Sequence, residues 1–307
     1  MKEMIYDINI ENTFILNKFK NSVILDIETT GLSKKYDSIF LIGLMEIKEK
    51  TEIKLFFAEN PKEEYKLIKS IKEYLDKNII TYNGNSFDIP FIKEKAELYN
   101  IDIPFINGFD LYRYILKQKY LLNLKNYKQK SIEEYMGLFR NDFISGGEVV
   151  KRYKDFLITK EYSLFEDVII HNRDDIYGLL KSLEIVEKID KINSITIGNK
   201  IFIIKNISFF ENTLIINGNL NFKDENFYNM FNYSIITANR TFKIEIPTLK
   251  SRYDIKRYCN YIMKKDFSGV LNIERIPSPE EILILKTDRI LYNNIHEIVK
   301  YILEKHF

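Results

Sequence analysis

The chain has very little cysteine: Cys259 is the single thiol among 307 residues. One thiol cannot form an internal disulfide or a zinc site built from several cysteines, so both are excluded within the chain. A reducing cytoplasm is therefore the expected compartment. No apolar run approaches the roughly 18 residues of a membrane span, and the N-terminal segment mixes acids and bases among its apolar side chains, so neither export nor membrane insertion is predicted.

The chain also lacks a net charge of either sign. Its 46 Lys and Arg residues against 44 Asp and Glu residues leave a formal charge of +2. The field of the whole molecule therefore neither favours nor excludes a nucleic-acid partner, and any attraction to a polyanion has to come from local clusters. Internal repeats, low-complexity linkers, polymerase motifs and a helicase phosphate loop are absent from the sequence as well.

What is present is an alternation of short apolar runs and helical periodicity in the first part of the chain. We expect strands over residues 23–27, 39–47, 52–57, 79–82 and 105–110. Helices are expected from Pro61 to about Asp76 and from Asp88 to about Tyr99, the latter capped by Ser86, and a largely helical stretch reaches about Ile189. This order predicts an α/β fold with a mixed sheet flanked by helices.

The character of the sequence changes near Lys191. Short β-branched and aromatic runs follow over residues 201–204, 213–216 and 241–246, separated by Asn and Gly, and Asn217-Gly218 is the strongest hairpin signal in the chain. We predict a first domain over residues 1–190 and a smaller β-rich (α+β) domain over residues 191–307. Cys259, His296 and His306 are far apart in sequence and are interpreted as a structural thiol and two surface imidazoles.

Asp26 and Glu28 stand two residues apart in an apolar run, so on a strand both carboxylates point to one face. Burial and mutual repulsion would push one of them toward protonation, and a divalent cation resolves that conflict. The alternative is a solvated strand end or a turn cap. Two further acids have a functional and an ordinary explanation in the same way. Asp88 is also explained as an acid at a helix start. Asp175, four residues after His171, is also explained as part of a solvated helix face.

Together the three clusters are more specific than any one of them. The segments ILDIETTGL, TYNGNSFDIPFI and HNRDDIYGL resemble the three exonuclease motifs of the DEDD superfamily, and more narrowly the bacterial predicted exonucleases with a ribonuclease-H-like domain. The turn at residues 144–148 and the helix at 131–138 also look like that subgroup. The resemblance covers residues 22–187 and implies a ribonuclease-H-like first domain that degrades single-stranded DNA or RNA from a free 3′ end.

The resemblance implies that Asp26, Glu28, Asp88 and Asp175 hold two divalent cations, Mg²⁺ or Mn²⁺, in a two-metal mechanism. Oxygen ligands suit those cations better than zinc. His171 is the implied general base, because neighbouring cations disfavour imidazolium, or else it positions the water. It precedes Asp175 by four residues, as tyrosine does in one subgroup, whereas the histidine subgroup uses five; Asp174 therefore stays an alternative to Asp175.

The same resemblance implies which residues contact the terminal nucleotide. These are Thr29, Thr30, Gly31 and Leu32 after the first acids, with Asn83 and Phe87 after the second strand. Asp110 is interpreted as a helix N-cap and left out of the catalytic set. Basic residues between Tyr112 and Lys130, interleaved with tyrosines, predict either a surface that tracks a nucleic-acid backbone or amphipathic helices with buried rings.

Two other functions stay open from the sequence. A nucleic-acid-binding scaffold without turnover is disfavoured, because all four acids are present. An endonuclease on the same fold is the other alternative, and the Asn-Gly-x-x-Phe-Asp context favours the exonuclease branch over it. The sequence carries no motif that assigns a role to the second domain.

Overall fold

The computed structural model describes residues 1–104, 106–122, 124–140 and 144–307. The chain forms two compact units. The first comprises Met1–Leu116 and Leu124–Ile185, and the second comprises Lys117–Asn123 and Val186–Phe307. Within the described residues, no helix combines the length and the apolar character needed to cross a membrane.

A six-stranded mixed sheet forms the centre of the first unit. Its strands are β1 (Lys2–Asn9), β2 (Val23–Thr29), β3 (Ile39–Glu46), β4 (Lys50–Phe57), β5 (Ile79–Thr81) and β6 (Gly108–Asp110). They lie in the order β1-β4-β3-β2-β5-β6, antiparallel from β1 to β2 and parallel from β2 to β6. Every residue of β3 except the last is buried, as expected for a strand covered on both faces.

Helices alternate with these strands and follow them along the chain, and the helix that ends at Ile192 lies mostly in the second unit. They are α1 (Thr13–Lys18), α2 (Glu64–Ile71), α3 (Asp88–Leu98), α4 (Leu111–Lys117), α5 (Gln129–Tyr135), α6 (Gly146–Thr159), α7 (Tyr162–Ser182) and α8 (Glu184–Ile192). Helix α7 buries Val168, Ile169 and Ile176 against the sheet, three positions at helical spacing. The predicted α/β fold with a mixed sheet flanked by helices is confirmed.

Several local predictions need correction. Strand β1 was not expected, because its alternation is weak and its burial pattern is half exposed. Helix α3 has Phe87 at its N-cap with no side-chain cap, and the Ser86 hydroxyl instead accepts a hydrogen bond from Arg113 (3.3 Å). The predicted strand at 105–110 is limited to β6, and Phe105 lies outside the described residues.

The second unit is β-rich, as predicted. One antiparallel sheet contains β7 (Ser194–Ile197), β8 (Lys200–Phe210), β9 (Thr213–Leu220), β10 (Asn226–Asn229), β11 (Ser234–Ala238) and β12 (Thr241–Pro247). A second contains β13 (Leu249–Arg252), β14 (Tyr258–Met263) and β15 (Ile282–Lys286), and helix α9 (Tyr292–His306) ends the chain. Cys259 is buried, while His296 and His306 are half-buried against tyrosine rings and are not simply surface imidazoles.

The Asn217-Gly218 hairpin prediction is wrong. Both residues lie inside β9, where Gly218 pairs with Phe242 on one side and Ile204 on the other. A Cβ on Gly218 would lie 2.3 Å from the Phe242 ring and 2.4 Å from a backbone oxygen, so glycine here provides room for an aromatic ring. The turn before β9 is formed instead by Glu211 and Asn212, and Glu211 takes a positive φ of 50°.

Candidate active site

The first two predicted acids lie on β2, near the middle of the sheet. Asp26 pairs across the ladder with Gly43 of β3, and Glu28 follows two residues later on the same face. Burial raises the pKa of Asp26 well above its ordinary value, and the carboxylates of Asp88, Asp175 and Glu28 add to this effect. The strand therefore presents a carboxyl that is poorly stabilised as an anion by the protein alone.

Asp88 reaches the same place from the start of α3. Its Oδ1 accepts a hydrogen bond from the backbone N–H of Ile27 (3.2 Å), the residue between Asp26 and Glu28. The contact follows from topology, because β5 runs parallel to β2 and α3 begins just beyond the end of β5. Burial raises the pKa of Asp88 to about 7, against the opposing effect of its backbone hydrogen bonds.

His171 and Asp175 complete the group from α7. His171 Nε2 lies 3.2 Å from Asp175 Oδ2 and 3.8 Å from Glu28 Oε1. One ligand atom from each of these three residues lies within 4.8 Å of the others, a separation at which a single metal ion can contact all three. Asp174 instead pairs with Arg173 (2.8 Å). The structure thus brings together the five predicted catalytic residues and leaves Asp174 outside.

Asn172 is a buried residue of this site that the sequence interpretation missed. Its Nδ2 donates to Asp26 Oδ2 at 2.7 Å, and its side chain has no exposure to solvent. A Cβ on Gly43 would lie 2.1 Å from Asn172 Oδ1, so the glycine opposite Asp26 makes room for this amide. The available signal was a polar residue within the apolar stripe of α7, between Ile169 and Ile176.

A second missed feature is a buried ion-pair network behind Asp175. Arg140 is 7% exposed and binds Glu133 through two nitrogens, while its Nη1 donates to Asp175 Oδ1 at 2.6 Å. Gln129 Nε2 donates to both Glu133 Oε1 and the backbone oxygen of Asp175, each at 2.9 Å. Gln129 of α5 therefore holds the Asp175 backbone directly, and Glu133 of α5 holds the Asp175 carboxylate through Arg140. No sequence pattern predicts this pairing.

The turn after β2 has a defined conformation. The Thr29 hydroxyl donates to the Gly31 carbonyl (2.6 Å), and Thr30 exchanges backbone and side-chain hydrogen bonds with Ser38. The Asp37 carboxylate occupies the space beside Gly31 that a Cβ would fill. Leu32 is 85% exposed, and so presents an apolar side chain to solvent at the end of the strand that carries the acids.

The Asp110 carboxylate binds the backbone of the loop between β5 and α3. It accepts hydrogen bonds from the backbone N–H groups of Asn83 (3.0 Å), Asn85 (3.2 Å) and Arg113 (3.2 Å). The bond from Arg113 is that of a helix N-cap for α4, in agreement with the predicted role. Asn83 takes a positive φ of 64°, which asparagine tolerates well. Phe87 packs its ring against Phe91 at 5.4 Å.

Next to His171 and Asp175 lies a cavity of about 470 Å³, also lined by Gln129, Lys130, Arg140, Ile144, Ser145 and Glu148. Lys130 is the member of the predicted basic stretch that lines it. Three of the four tyrosines of that stretch pack against other rings: Tyr112 against Tyr82, Tyr114 against Phe109 and Tyr120 against Tyr292. These contacts favour the interpretation of amphipathic helices with buried rings.

The family model described as the RNase_H superfamily matches residues 23–186, which is more than half of the chain. The chain therefore belongs to the RNase_H superfamily, which confirms the predicted ribonuclease-H-like domain.

Curated proteins show the same likeness at low identity. The uncharacterized protein YprB of Bacillus subtilis is 27% identical over 166 residues, covering 52% of this chain and 40% of its own length. The PolC-type DNA polymerase III of Mycoplasma genitalium is 31% identical over 103 residues, 26% of this chain and 7% of the polymerase. The chain thus spans less than half the length of these relatives.

Two solved structures illustrate the distant structural likeness. The family B DNA polymerase from Pyrobaculum calidifontis has a TM-score of 0.42 at 19% identity, covering 55% of this chain and 24% of the polymerase. Exonuclease I of E. coli in complex with a dT13 oligonucleotide has a TM-score of 0.34 at 12% identity, covering 54% of this chain and 40% of the exonuclease.

Proposed function

We propose that this protein is a divalent-metal-dependent nuclease that removes nucleotides from the 3′ end of single-stranded DNA or RNA. The observation that carries the proposal is the convergence of Asp26, Glu28, Asp88 and Asp175 beside His171. Membership of the RNase_H superfamily supports hydrolysis of a phosphodiester bond.

The donor set fits hard divalent cations. All four proposed ligands are carboxylates, which suit Mg²⁺ and Mn²⁺ better than zinc. Asp26 and Asp88 have raised pKa values, so the cluster is short of positive charge in the protein alone. When bound, the cations supply charge that stabilises the phosphodiester transition state and lower the pKa of the attacking water.

The protein's own residues then divide the remaining tasks. His171 Nε2 faces the carboxylates of Glu28 and Asp175, where it accepts the proton of the attacking water. Asn172 holds Asp26, and Arg140 holds Asp175 by one oxygen, so that Oδ2 of Asp175 stays directed toward His171. Both are positioning residues, since they act through a proposed ligand.

The direction of cleavage and the preference for a single strand come from the resemblance to DEDD exonucleases. In the same way Thr29, Thr30, Gly31 and Leu32, together with Asn83 and Phe87, are proposed to contact the terminal nucleotide. The exposed Leu32 side chain supports a wedge against a terminal base. A cytoplasmic location stays a prediction from the sequence.

The test is degradation of single-stranded DNA and RNA labelled at either end, with Mg²⁺ or Mn²⁺. Asp26→Asn keeps an acceptor for Asn172 but removes the charge, and we expect at least a hundredfold loss of rate. Asp76→Asn, an exposed acid of the same unit, is the matched control and should retain full activity. Cleavage of circular substrate would indicate an endonuclease, and intact substrate under every condition would contradict the proposal.

His171 also lies close enough to the carboxylates to serve as a metal ligand, so its role needs a separate measurement. We expect His171→Asn to lower kcat at saturating Mn²⁺ while Mn²⁺ affinity, measured by calorimetry with the full chain, changes little. A proton acceptor affects the rate of the chemical step, whereas a ligand affects the affinity for the ion. A large loss of Mn²⁺ affinity would therefore reassign His171 to the ligand set.

A further inference from the structure

The second unit contains a hairpin whose surface charge is not neutralised. Strands β13 and β14 are joined by the turn at residues 253–257, and all four residues of β13 are exposed. In the sheet order β13-β14-β15, β13 is one of the two edge strands. We propose that this basic hairpin is a binding surface for single-stranded nucleic acid, which deepens the proposed nuclease function and rests on it for the identity of the polyanion.

The cations of the hairpin share one face with an aromatic ring. Lys250 pairs with Asn260 and Arg252 with Tyr258, so the side chains of Lys250, Arg252 and Tyr258 project to the same side of the sheet. Lys250 Nζ lies 5.3 Å from the centre of the Tyr258 ring, and that ring is 53% exposed. The neighbouring position of β14, Cys259, points to the other side and is buried.

The acid of the turn, Asp254, interacts with other residues of the same turn. Asp254 accepts hydrogen bonds from the backbone N–H groups of Lys256 and Arg257, and forms an ion pair with the Arg257 side chain at 2.6 Å. These interactions lower the pKa of Asp254, with the Arg257 side chain as the main cause. Among the described residues, no carboxylate forms an ion pair with Lys250, Arg252 or Lys256.

The exposed Tyr258 ring beside these cations indicates that the ligand also has flat, weakly polar parts. Lysines on an edge strand suffice to prevent edge-to-edge association, but exposed rings do not serve that purpose. Phosphate groups bound by cations with bases stacked on rings account for both features.

The experiment measures binding of fluorescently labelled oligo(dT) and oligo(rU) to the full chain by anisotropy, in EDTA and over a series of KCl concentrations. The variant Lys250→Gln/Arg252→Gln/Lys256→Gln removes three proposed phosphate contacts. Affinity at low salt should fall about tenfold or more, and the slope of log K against log salt should decrease by about 2, because each contact to a single strand contributes about 0.7.

The matched control is Lys191→Gln/Lys223→Gln/Lys300→Gln, which makes the same charge change at exposed positions of the same unit and should bind within about twofold of the wild type. Tyr258→Ala should weaken binding about fivefold or more with an unchanged salt slope, as expected for lost stacking. Unchanged affinity and slope in the hairpin variant, or equal binding of a duplex, would overturn the inference.

This outcome is separable from that of the nuclease test. The anisotropy experiment in EDTA measures binding and not hydrolysis. Binding by the hairpin can therefore be measured even if the chain proves inactive as a nuclease. Conversely, the hairpin variant should keep the wild-type kcat on saturating substrate with a raised KM, because none of its three residues belongs to the proposed catalytic group.

Discussion

Gly178 is the most sensitive position for testing the network behind Asp175. It lies in α7, and a Cβ built there would be 2.1 Å from Glu133 Oε1 and 2.7 Å from Arg140 Nη2. The Glu133 carboxylate would have to move away from this Cβ by more than 1 Å for the distance to reach the 3.4 Å of an ordinary contact. Glu133 has no exposure to solvent and Arg140 is 7% exposed, so neither group can move out into water without breaking the pair.

The magnitude follows from two opposing terms. Replacing an interior helical glycine by alanine stabilises a helix by about 1 kcal/mol, whereas overpacking a buried site costs about 1–3 kcal/mol. Loss of a buried charge partner adds about 3–5 kcal/mol. We therefore expect Gly178→Ala to lower the free energy of unfolding by up to about 2 kcal/mol if the pair shifts, because the gain in helix propensity offsets part of the overpacking, and by more if the pair breaks.

The assay is urea denaturation together with initial rates of nucleotide release. Because Arg140 holds Asp175, displacement of the pair should also lower the nuclease rate at least tenfold. Gly147→Ala is the control: it lies in the first turn of α6 with nothing within 4 Å of the added Cβ, and should keep stability and rate. A Gly178→Ala protein as stable and active as the wild type would refute the view that the Glu133–Arg140 pair is fixed against α7.

Two other perturbations address the carboxylates directly. In EDTA, the free energy of unfolding should fall as the pH rises from about 4 to about 7, by on the order of 4 kcal/mol at most, because folded Asp88 keeps its proton up to a pKa of about 7 and the unfolded carboxyl does not. Asp88→Asn should flatten this slope in urea titrations, and an unchanged slope would contradict the assignment. Asn172→Ala should cost about 1–3 kcal/mol by leaving Asp26 without its donor. Its cost should shrink in an Asp26→Ala background, and strict additivity of the two changes would count against the contact.

The parts of the site that local patterns determine were predictable. Strand alternation places Asp26 and Glu28 on one face, and helical spacing places His171 above Asp175. The position of Asp88 needed one further assumption, that the strand preceding it runs parallel to β2, which the order of strands and helices suggests. These contacts depend on backbone geometry over a few residues, and the structure places them as expected.

Other parts depend on packing between elements and carry no periodic signal. Arg140, which follows α5 in the chain, meets Asp175 of α7 while its guanidinium is held by Glu133 of α5, and α5 packs on α7. In the sequence, Gly178 indicates a weak helical position and does not indicate a contact. In the same way, Asn217-Gly218 was predicted to form a hairpin turn, but Gly218 lies within a strand and accommodates the ring of Phe242. A glycine can mark a turn or a close approach, and the sequence does not distinguish them unless the facing residue is known.

The buried charges also explain why Arg140 does not neutralise the whole carboxylate cluster. Arg140 is shared between Glu133 and Asp175, so its single positive charge does not neutralise both carboxylates. Protons on Asp26 and Asp88 relieve part of the remaining repulsion, in line with their raised pKa values. If these carboxylates hold divalent cations as proposed, protons and cations compete for the same oxygens, and ion binding should release protons. Acid pH should consequently stabilise the metal-free fold and suppress the nuclease by one and the same event, the protonation of the carboxylates.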